Sequence, residues 1–460
     1  MEVSNRPTSA LTKTAFAGEA YYRRSPRPVV CEQRSRCAPA HEDAACRHGK
    51  QRKRAFQQTE APISLPPKSG SRQPFPVWDA GKLALVLSGG GARAAYQAGV
   101  LAAIAAQLAP HAPNPFAIVC GTSAGAINAA VIAAGAAHFA LTANRLRRLW
   151  AGLHAHHIYR TDALHLLGNG SRWLASLVPG LMRHRPASLL DNRPLGALLA
   201  RRIPFQAIQG AIAAGELEAL TVTAVSYQTG KSVSFCAARP ELELWERAQR
   251  VGIRAEIGVH HLIASSAIPF VFPPASIGGE YFGDGAVRQV SPTAPALHLG
   301  ADRILVIGAA RSNAGPLATP NAHPPSLAQV GSQVLASIFT DALGTDLEKV
   351  RLINAAVRQI EPARLASSPV PLRDVQLLVI TPSIALETIA LEQIQTLPPA
   401  LRAMLRIFGG NGPGSAGLLS YLLFEPGFTR ALMELGWQDA QAQRPELEAF
   451  FAPASQPSSP

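Results

Sequence analysis

Short apolar runs alternate with longer apolar stretches of helical length through the middle of this 460-residue chain. Residues 83–88 (LALVLS) form one short run and lead through three glycines into residues 92–109, which are rich in alanine. Residues 118–120 form a second run and lead through the sequence GTSAG into another alanine-rich stretch. A short apolar run bounded by glycine is typical of a strand buried on both faces. Two strand–loop–helix units in succession therefore predict an α/β domain with a mainly parallel sheet.

The rest of the pattern extends this domain and adds helices after it. Residues 220–235 alternate on either side of Thr229 and Gly230, which predicts a hairpin or a strand pair. Two more buried strands are predicted at 301–310 and 375–383, with a long amphipathic helix or helix pair at 326–360 between them. The predicted organisation is a disordered basic tail at 1–78, a main domain at 79–312, a helical extension with a further strand at 313–450 packed on that domain, and a disordered end at 451–460.

The net charge of +13 is concentrated near the N-terminus. Residues 1–80 carry 14 Lys and Arg against 7 Asp and Glu, which is +7 of the total, and they lack helical or strand periodicity. The body of the chain is only mildly basic, so no nucleic-acid partner is expected. A basic balance also favours anionic lipid, so contact with a membrane surface is left open. The composition does not address the oligomeric state.

Five cysteines without a repeating spacing argue against a disulfide framework and favour a reducing compartment. No apolar run near Met1 resembles a signal peptide, so a cytoplasmic location is expected, with peripheral membrane contact left open. Two groups raise the alternative of a metal site, namely Cys37, His41, Cys46 and His48 in the tail, and His154, His156 and His157 further on. Neither group has the spacing or the partners of a typical site, so no metal or other cofactor is expected.

The uncharged stretch at residues 116–141 is long enough to cross a bilayer. Its apolarity comes mostly from alanine and glycine, and GTSAG and Asn128 stand in its middle, so a buried strand and helix are favoured. GTSAG fits the pattern G-x-S-x-G. In this pattern Gly121 and Gly125 leave room for a sharp turn between strand and helix, from which Ser123 projects as a nucleophile.

The sequence SGGGAR at residues 88–93 offers donors for the charged oxygen of an acyl-transfer intermediate. Gly89, Gly90 and Gly91 present backbone amides without side chains just before a helix, and Arg93 adds a positive charge. The alternative is a dinucleotide-binding loop, because the glycines and Ala94 fit G-x-G-x-x-G/A. Such a loop requires an acidic residue about 20 positions later. Residues 80–161 contain neither Asp nor Glu, so the oxyanion interpretation is preferred.

A serine nucleophile also needs a base. For a Ser–acid–His triad, only His298 and His323 are available after Asp284, one in a helix-like stretch and the other in a proline-rich loop. Asp284 itself lies between two glycines after an apolar run, a setting that predicts an exposed carboxylate at the end of a strand. A dyad of Ser123 and Asp284 is the simpler hypothesis. The alternative is that Asp284 only caps a turn.

The motifs SGGGARAAY, GTSAG and DGA, in this order, resemble those of the patatin-like phospholipases. Residues 264–274 (ASSAIPFVFPP) and the sequence LLDNRPL also resemble stretches of that family, and the resemblance covers roughly residues 82–310. It implies a three-layer α/β/α fold and hydrolysis of fatty acyl esters of phospholipids or lysophospholipids. It also implies that Ser123 is the nucleophile, that Asp284 is the base, and that Gly89, Gly90, Gly91 and Arg93 form the oxyanion hole, without a cofactor.

Three points remain open within this hypothesis. Ala94 stands where the family usually has glycine, so the substrate preference is expected to differ. A lipid transacylase and a non-catalytic lipid-binding regulatory protein are the alternatives to a hydrolase. Residues 162–186 are irregular and apolar, which is consistent with core packing or with a lid over the site.

Overall fold

In the described part of the chain, ten strands form one sheet. The computed structural model describes residues 81–162, 188–311, 342–368, 372–399 and 416–453, with isolated positions at 168, 330, 333–334, 337 and 402–403. The predicted tail, most of the apolar stretch at 162–186 and the chain end from residue 454 lie outside the described residues. The strands are β1 (Leu83–Leu87), β2 (Ile118–Thr122), β3 (Ala219–Ser226), β4 (Ser232–Ala238), β5 (Glu246–Arg247), β6 (Arg250–Arg254), β7 (Ala275–Ile277), β8 (Glu280–Asp284), β9 (Arg303–Ile307) and β10 (Gln376–Ile380).

The helices of the described residues lie between and after these strands. They are α1 (Ala95–Ala105), α2 (Ala124–Ala134), α3 (Phe139–Ala151), α4 (Ala155–Ile158), α5 (Arg193–Arg202), α6 (Phe205–Ala213), α7 (Val259–Ser265), α8 (Ala294–His298), α9 (Ala342–Val357), α10 (Pro362–Ala366), α11 (Leu386–Glu392), α12 (Ala416–Leu422), α13 (Pro426–Ala442) and α14 (Arg444–Phe451). Short 3₁₀ turns at Gly91–Ala94, Gly285–Val287 and Ile394–Thr396 complete the set.

The centre of the sheet is parallel, and the antiparallel pairs lie to one side. The strand order is β10-β9-β1-β2-β3-β4-β6-β5, and the first five strands run parallel to one another. β4 returns antiparallel to β3 through a turn in which Gly230 has a φ of 66°. Parallel neighbours need crossover helices, and these cover the sheet.

β3 is longer than β2, and this difference in length has a structural consequence. Ala219–Thr223 of β3 pair with β2, whereas the following residues, Ala224–Ser226, pair with the antiparallel strand β8. β8 therefore continues the line of β2 along the same edge of β3. The C-terminal ends of β2 and β8 meet where the two pairings join.

Side chains of successive strand residues enter two different cores, as the pleat of a β-strand requires. In β1, Leu83, Leu85 and Leu87 pack on the face that carries α1 and α2. Ala84 and Val86 pack on the other face, with residues of α8 and α9. Strand residues are apolar on both faces because both faces are covered. The result is the α/β/α layering that the family resemblance implies.

The last helices pack on the same face as α1 and α2. The Tyr96 hydroxyl of α1 donates a hydrogen bond to Asp439 Oδ2 of α13 (2.9 Å), and the Thr429 hydroxyl donates to the backbone oxygen of Trp150 (2.9 Å). Residues far apart in sequence thus share one apolar core.

The predicted fold class, a mainly parallel sheet between helices, is confirmed, and so is the hairpin around Thr229 and Gly230. The uncharged stretch at 116–141 contains β2 and α2 and leads into α3. Across the described residues, no helix combines the length and the apolarity needed to cross a bilayer. The predicted strand at 301–310 is confirmed but is shorter, and the helix predicted at 326–360 is described from Ala342 to Val357.

Candidate active site

Ser123 occupies a strained turn between β2 and α2. Its backbone has a φ of 55° and a ψ of −130°, which is an uncommon conformation for a residue with a side chain. The two glycines of the motif are required by space. A Cβ atom on Gly121 would lie 2.5 Å from Ala126 Cα, and one on Gly125 would lie 2.4 Å from the Leu87 oxygen. The motif therefore holds Ser123 in a sharp turn between strand and helix, which is the geometry that the nucleophile prediction requires.

Asp284 reaches Ser123 because it is the last residue of β8. It pairs with Ala224 of β3, directly beyond the pair that Thr223 makes with Thr122 at the end of β2. The Ser123 hydroxyl donates a hydrogen bond of 2.6 Å to Asp284 Oδ2. The other carboxylate oxygen, Oδ1, accepts the Ala286 amide at 2.9 Å.

Burial changes the acidity of this carboxyl group. The sequence predicts an exposed carboxylate, and this is wrong, because Asp284 has no exposed surface and Ser123 is only 1% exposed. Burial raises the pKa of Asp284 to about 7, although the hydrogen bonds from Ser123 and Ala286 act in the opposite direction. A group with this pKa can accept and release a proton near neutral pH.

A second serine, Ser265 at the end of α7, holds the elbow in place. The backbone N–H of Ser123 donates to Ser265 Oγ at 2.8 Å, and the Ser265 hydroxyl donates to the Thr223 oxygen at 2.5 Å. The strained turn is therefore tied to the strand that aligns Asp284. The role of Ser265 is not visible in the sequence, because nothing in its local pattern separates it from an ordinary helix residue.

The glycine loop lies between β1 and the 3₁₀ turn that precedes α1. No acceptor among the described residues takes the amide N–H groups of Gly89, Gly90 and Gly91, so these donors are available. Gly91 has a φ of 54° and lines the same cavity as Ser123. Gln97 fixes the start of the loop, because its side-chain amide donates to the backbone oxygens of Ser88 (2.9 Å) and Ile307 (3.1 Å).

Arg93 differs from the expectation. Its guanidinium does not line the cavity with Ser123, and it is buried against the C-terminal helices instead. Nε donates to Ser420 Oγ at 2.7 Å, Nη2 pairs with Glu387 Oε1 at 2.5 Å, and the group lies 4.0 Å from the ring centre of Tyr421. These contacts contradict a direct role of the side chain in the oxyanion hole. The side chain fastens a later segment to the glycine loop.

None of the histidines that the structure describes completes a triad with Ser123 and Asp284. His298 stacks on Trp245 (4.9 Å between ring centres) on the sheet face opposite to α2, and His323 lies outside the described residues. His154 pairs with Glu425 through Nδ1 and Oε2 (2.8 Å) and stacks on His156. Within the described ranges, no three His, Cys, Asp or Glu side chains are arranged to bind a metal ion. The tail group around Cys37 and Cys46 lies outside those ranges.

Ser123 opens into a narrow cavity of about 40 Å³. Its lining is almost entirely apolar and comes from helices on both sides of the elbow. The lining includes Ile127, Leu149, Trp150, Leu153, Leu195, Leu199, Ile268, Phe272, Tyr421 and Phe424. A serine hydroxyl bonded to a buried carboxyl group at the wall of an apolar cavity, with backbone amides nearby, is the set of groups that acyl transfer on an apolar ester requires.

Residues 85–297 match the model of a family described as patatin-like phospholipase. The match includes the glycine loop, the elbow and Asp284, and it ends within α8. No curated protein matches the chain in sequence.

Several solved structures are similar to the chain at low sequence identity. Human GIVD cytosolic phospholipase A2 in complex with methyl γ-linolenyl fluorophosphonate is 14% identical, with 81% of this chain and 59% of that chain covered and a TM-score of 0.39. VipD from Legionella pneumophila is 13% identical, with 81% and 72% covered and a TM-score of 0.25. The ExoU–SpcU complex of Pseudomonas aeruginosa is 16% identical, with 80% and 76% covered and a TM-score of 0.26. The chain thus spans about three fifths of the human phospholipase structure.

Proposed function

Residues 85–297 form a patatin-like phospholipase domain, and on this premise we propose that the protein is a serine acyl hydrolase that cleaves fatty acyl esters of phospholipids or lysophospholipids. The observation that carries the proposal is the 2.6 Å hydrogen bond between Ser123 Oγ and Asp284 Oδ2 at the wall of an apolar cavity.

In the first half of the reaction, Ser123 Oγ attacks the ester carbonyl carbon while its proton passes to Asp284. The carbonyl oxygen gains the negative charge and accepts hydrogen bonds from the amides of Gly89–Gly91, which are free among the described residues. The positive end of the α2 dipole lies beside the same position and adds to this stabilisation. Arg93 contributes only by holding its surroundings in place.

The intermediate then collapses, and the bond from the carbonyl carbon to the leaving alkoxide breaks. Asp284 returns the proton to the alcohol oxygen, which leaves an acyl ester on Ser123. In the second half, Asp284 takes a proton from water, the hydroxide oxygen attacks the acyl carbon, and Ser123 Oγ regains the proton as the fatty acid departs. A base with a pKa of about 7 supports both directions of proton transfer.

Access to a lipid substrate requires contact with a lipid surface, and Phe270 is suited to it. This side chain is 75% exposed and lies between Ile268 and Phe272, which both line the cavity. Its φ of 65° is costly for an aromatic residue, and such strain is concentrated at functional sites. We propose that Phe270 inserts into the lipid surface beside the cavity.

The decisive test is the Ser123→Ala variant. The purified protein should release fatty acid from phospholipid or lysophospholipid vesicles and should label with a fluorophosphonate, and the variant should do neither, with losses of at least about a thousandfold in rate. Thermal unfolding serves as the control and should be little changed, because the substitution removes one oxygen. Full activity in the variant would refute the mechanism. Bound lipid without labelling would indicate a non-catalytic protein, and acyl transfer to an added alcohol in place of water would indicate a transacylase.

A further inference from the structure

One wall of the cavity comes from a part of the chain that the family match does not include. The match ends at residue 297, whereas two later residues line the cavity, namely Tyr421 in the last turn of α12 and Phe424 in the connection from α12 to α13. Both side chains are buried. The substrate site is therefore incomplete without residues 416–425, which we name the wall segment.

Phe424 is connected to the helix of the nucleophile through a single aromatic ring. It stacks on Trp150, with ring centres 6.3 Å apart and planes 14° from parallel. The Trp150 indole N–H donates to Asn128 Oδ1 (2.8 Å), and Asn128 lies on α2, five residues after Ser123. Ser123, Ile127, Trp150 and Phe424 all line the one cavity, so the Trp150–Phe424 pair limits the space beside the nucleophile.

The wall segment is held firmly on both sides of Phe424. On one side, a Cβ atom on Gly91 would lie 2.3 Å from the Tyr421 oxygen, and Arg93 binds Ser420 and the ring of Tyr421. On the other side, Glu425 accepts the Ala155 amide (3.2 Å) and pairs with His154. The wall segment is thus anchored on both sides of Phe424.

We propose that Phe424 sets the length of the acyl chain that the site accepts. This inference rests on the proposed function, because it assigns an acyl chain to the cavity. An acyl chain gains affinity with each methylene that is buried against an apolar wall, and it loses affinity when the wall blocks it. A smaller residue at position 424 opens space next to Trp150, and a larger one removes it.

The test compares p-nitrophenyl esters with acyl chains of increasing length on the full chain. The Phe424→Ala variant should raise the ratio of kcat/KM for the palmitoyl ester to kcat/KM for the octanoyl ester about tenfold, and Phe424→Trp should lower it. Phe424→Leu should shift the ratio in the direction of alanine and serves if the alanine variant does not fold. The matched control is Phe428→Leu. Phe428 is buried on the neighbouring helix α13, is not among the residues that line the cavity, and should leave the ratio unchanged.

A binding experiment separates this inference from the proposed function. In the Ser123→Ala background, Phe424→Ala should raise the ratio of the dissociation constant of octanoic acid to that of palmitic acid, and Phe424→Trp should lower this ratio. The inference would be overturned if the ratio of kcat/KM for the palmitoyl ester to kcat/KM for the octanoyl ester stayed within twofold of the wild-type value in every folded Phe424 variant. A wild-type protein that neither hydrolyses esters nor labels at Ser123 would overturn the proposed function alone, and the binding shift would still stand.

An independent observation concerns Ser266, which is next to Ser265 and lines the cavity. It is 7% exposed, and its Oγ has no hydrogen-bond partner among the described residues. A buried hydroxyl without a partner lowers stability, so its presence in a substrate cavity indicates a ligand contact. Ser266 lines the same cavity as Ser123, and it directly follows Ser265, whose Oγ accepts the Ser123 amide. We propose that its hydroxyl donates a hydrogen bond to an oxygen of the substrate ester, an inference that also rests on the proposed function.

The Ser266→Ala variant distinguishes a substrate contact from a structural role. It should lower kcat/KM for p-nitrophenyl octanoate by about three- to tenfold, while the unfolding temperature stays the same or rises. Ser265→Ala is the comparison, because the hydroxyl of Ser265 has two partners and its loss should lower both the rate and the unfolding temperature. A kcat/KM of the Ser266→Ala variant equal to that of the wild type would overturn this second inference. Inactivity of the wild type would instead overturn the proposed function.

Discussion

At the scale of single residues, Asp284, the proposed base, combines a pKa near neutrality with a cost in stability. Its carboxyl group is fully buried, and its pKa lies near 7, well above the value of 3.8 for a free aspartate. The folded protein therefore keeps a proton that the unfolded chain loses as the pH rises above about 4. As far as this group is concerned, the free energy of unfolding is highest below pH about 4, and it falls as the pH rises through about 7.

We expect Asp284→Asn to inactivate the enzyme and to stabilise it above neutral pH. Asparagine is neutral at every pH. Relative to the wild type, the free energy of unfolding of the variant should therefore rise by on the order of 2–4 kcal/mol when the pH is raised from about 4 to about 8. Denaturant unfolding at the two pH values measures this difference. A variant that is less stable than the wild type at the higher pH would contradict the assignment of a buried, costly charge.

The same pKa predicts the pH dependence of the wild-type reaction. The ionised carboxylate is the form that accepts the proton of Ser123, so kcat/KM should rise about tenfold per pH unit at low pH and level off above an apparent pKa of about 7. Initial rates with a soluble ester across pH 5 to 9 check this. A profile that is flat through pH 7 would point to a base other than Asp284.

The roles of single residues were predictable from the sequence where a motif fixes the backbone conformation. They were less predictable where the role depends on which residues bury the side chain. The spacing in GTSAG and DGA identified Ser123 and Asp284, and the structure brings their side chains together. Arg93 was assigned to the oxyanion because it follows the glycines, but a long side chain can point away from its own loop. Its partners, Glu387 and Ser420, lie about 300 residues later, and no local pattern reveals them.

At the scale of secondary structure elements, the site depends on the close approach of α2 to β1. A Cβ atom at Gly125, the second residue of α2, would lie 2.4 Å from the Leu87 oxygen and 2.5 Å from the Ser88 oxygen. Neither contact can be relieved by turning a flexible side chain, since both partners are backbone atoms. The elbow and the glycine loop are thus placed by contact between the two elements.

We expect Gly125→Ala to separate these elements and to damage both stability and catalysis. The substitution should cost at least about 1–3 kcal/mol of unfolding free energy, as overpacking does, and it should lower kcat/KM at least about a hundredfold. The matched control is Gly210→Ala on α6, where no atom lies within 4 Å of the added methyl group. That variant should be more stable by about 0.5–1 kcal/mol and fully active. Equal behaviour of the two variants would refute the packing argument.

The elements themselves were largely predictable because both sheet faces are covered, which makes the strands short, continuous apolar runs. The joining of β2 and β8 along β3 was not predictable. It depends on β3 being longer than β2 and on a strand that arrives from more than 150 residues later in the chain. Pairing of this kind is decided by tertiary packing, and it is what brings Asp284 to Ser123.

At the scale of the whole molecule, two exposed apolar side chains allow contact with lipid to be tested. Phe270 is 75% exposed beside the cavity, and Leu352 is 72% exposed on α9, whose buried leucines pack on the opposite face of the sheet from Ser123. If the protein meets a lipid surface with the cavity facing it, only one of the two side chains enters the lipid. Two matched substitutions, one at each of these side chains, then show which face of the protein contacts the lipid.

In the Ser123→Ala background, which prevents hydrolysis, we expect Phe270→Ser to weaken partitioning onto phosphatidylcholine vesicles about tenfold, the value for losing one buried aromatic side chain. Leu352→Ser should leave the partition coefficient unchanged. Zwitterionic vesicles remove the contribution of the net positive charge, so the difference reports apolar insertion. Equal effects of the two substitutions would refute a directed orientation. An unchanged coefficient for Phe270→Ser would mean that Phe270 does not enter the lipid and that its strained backbone needs another explanation.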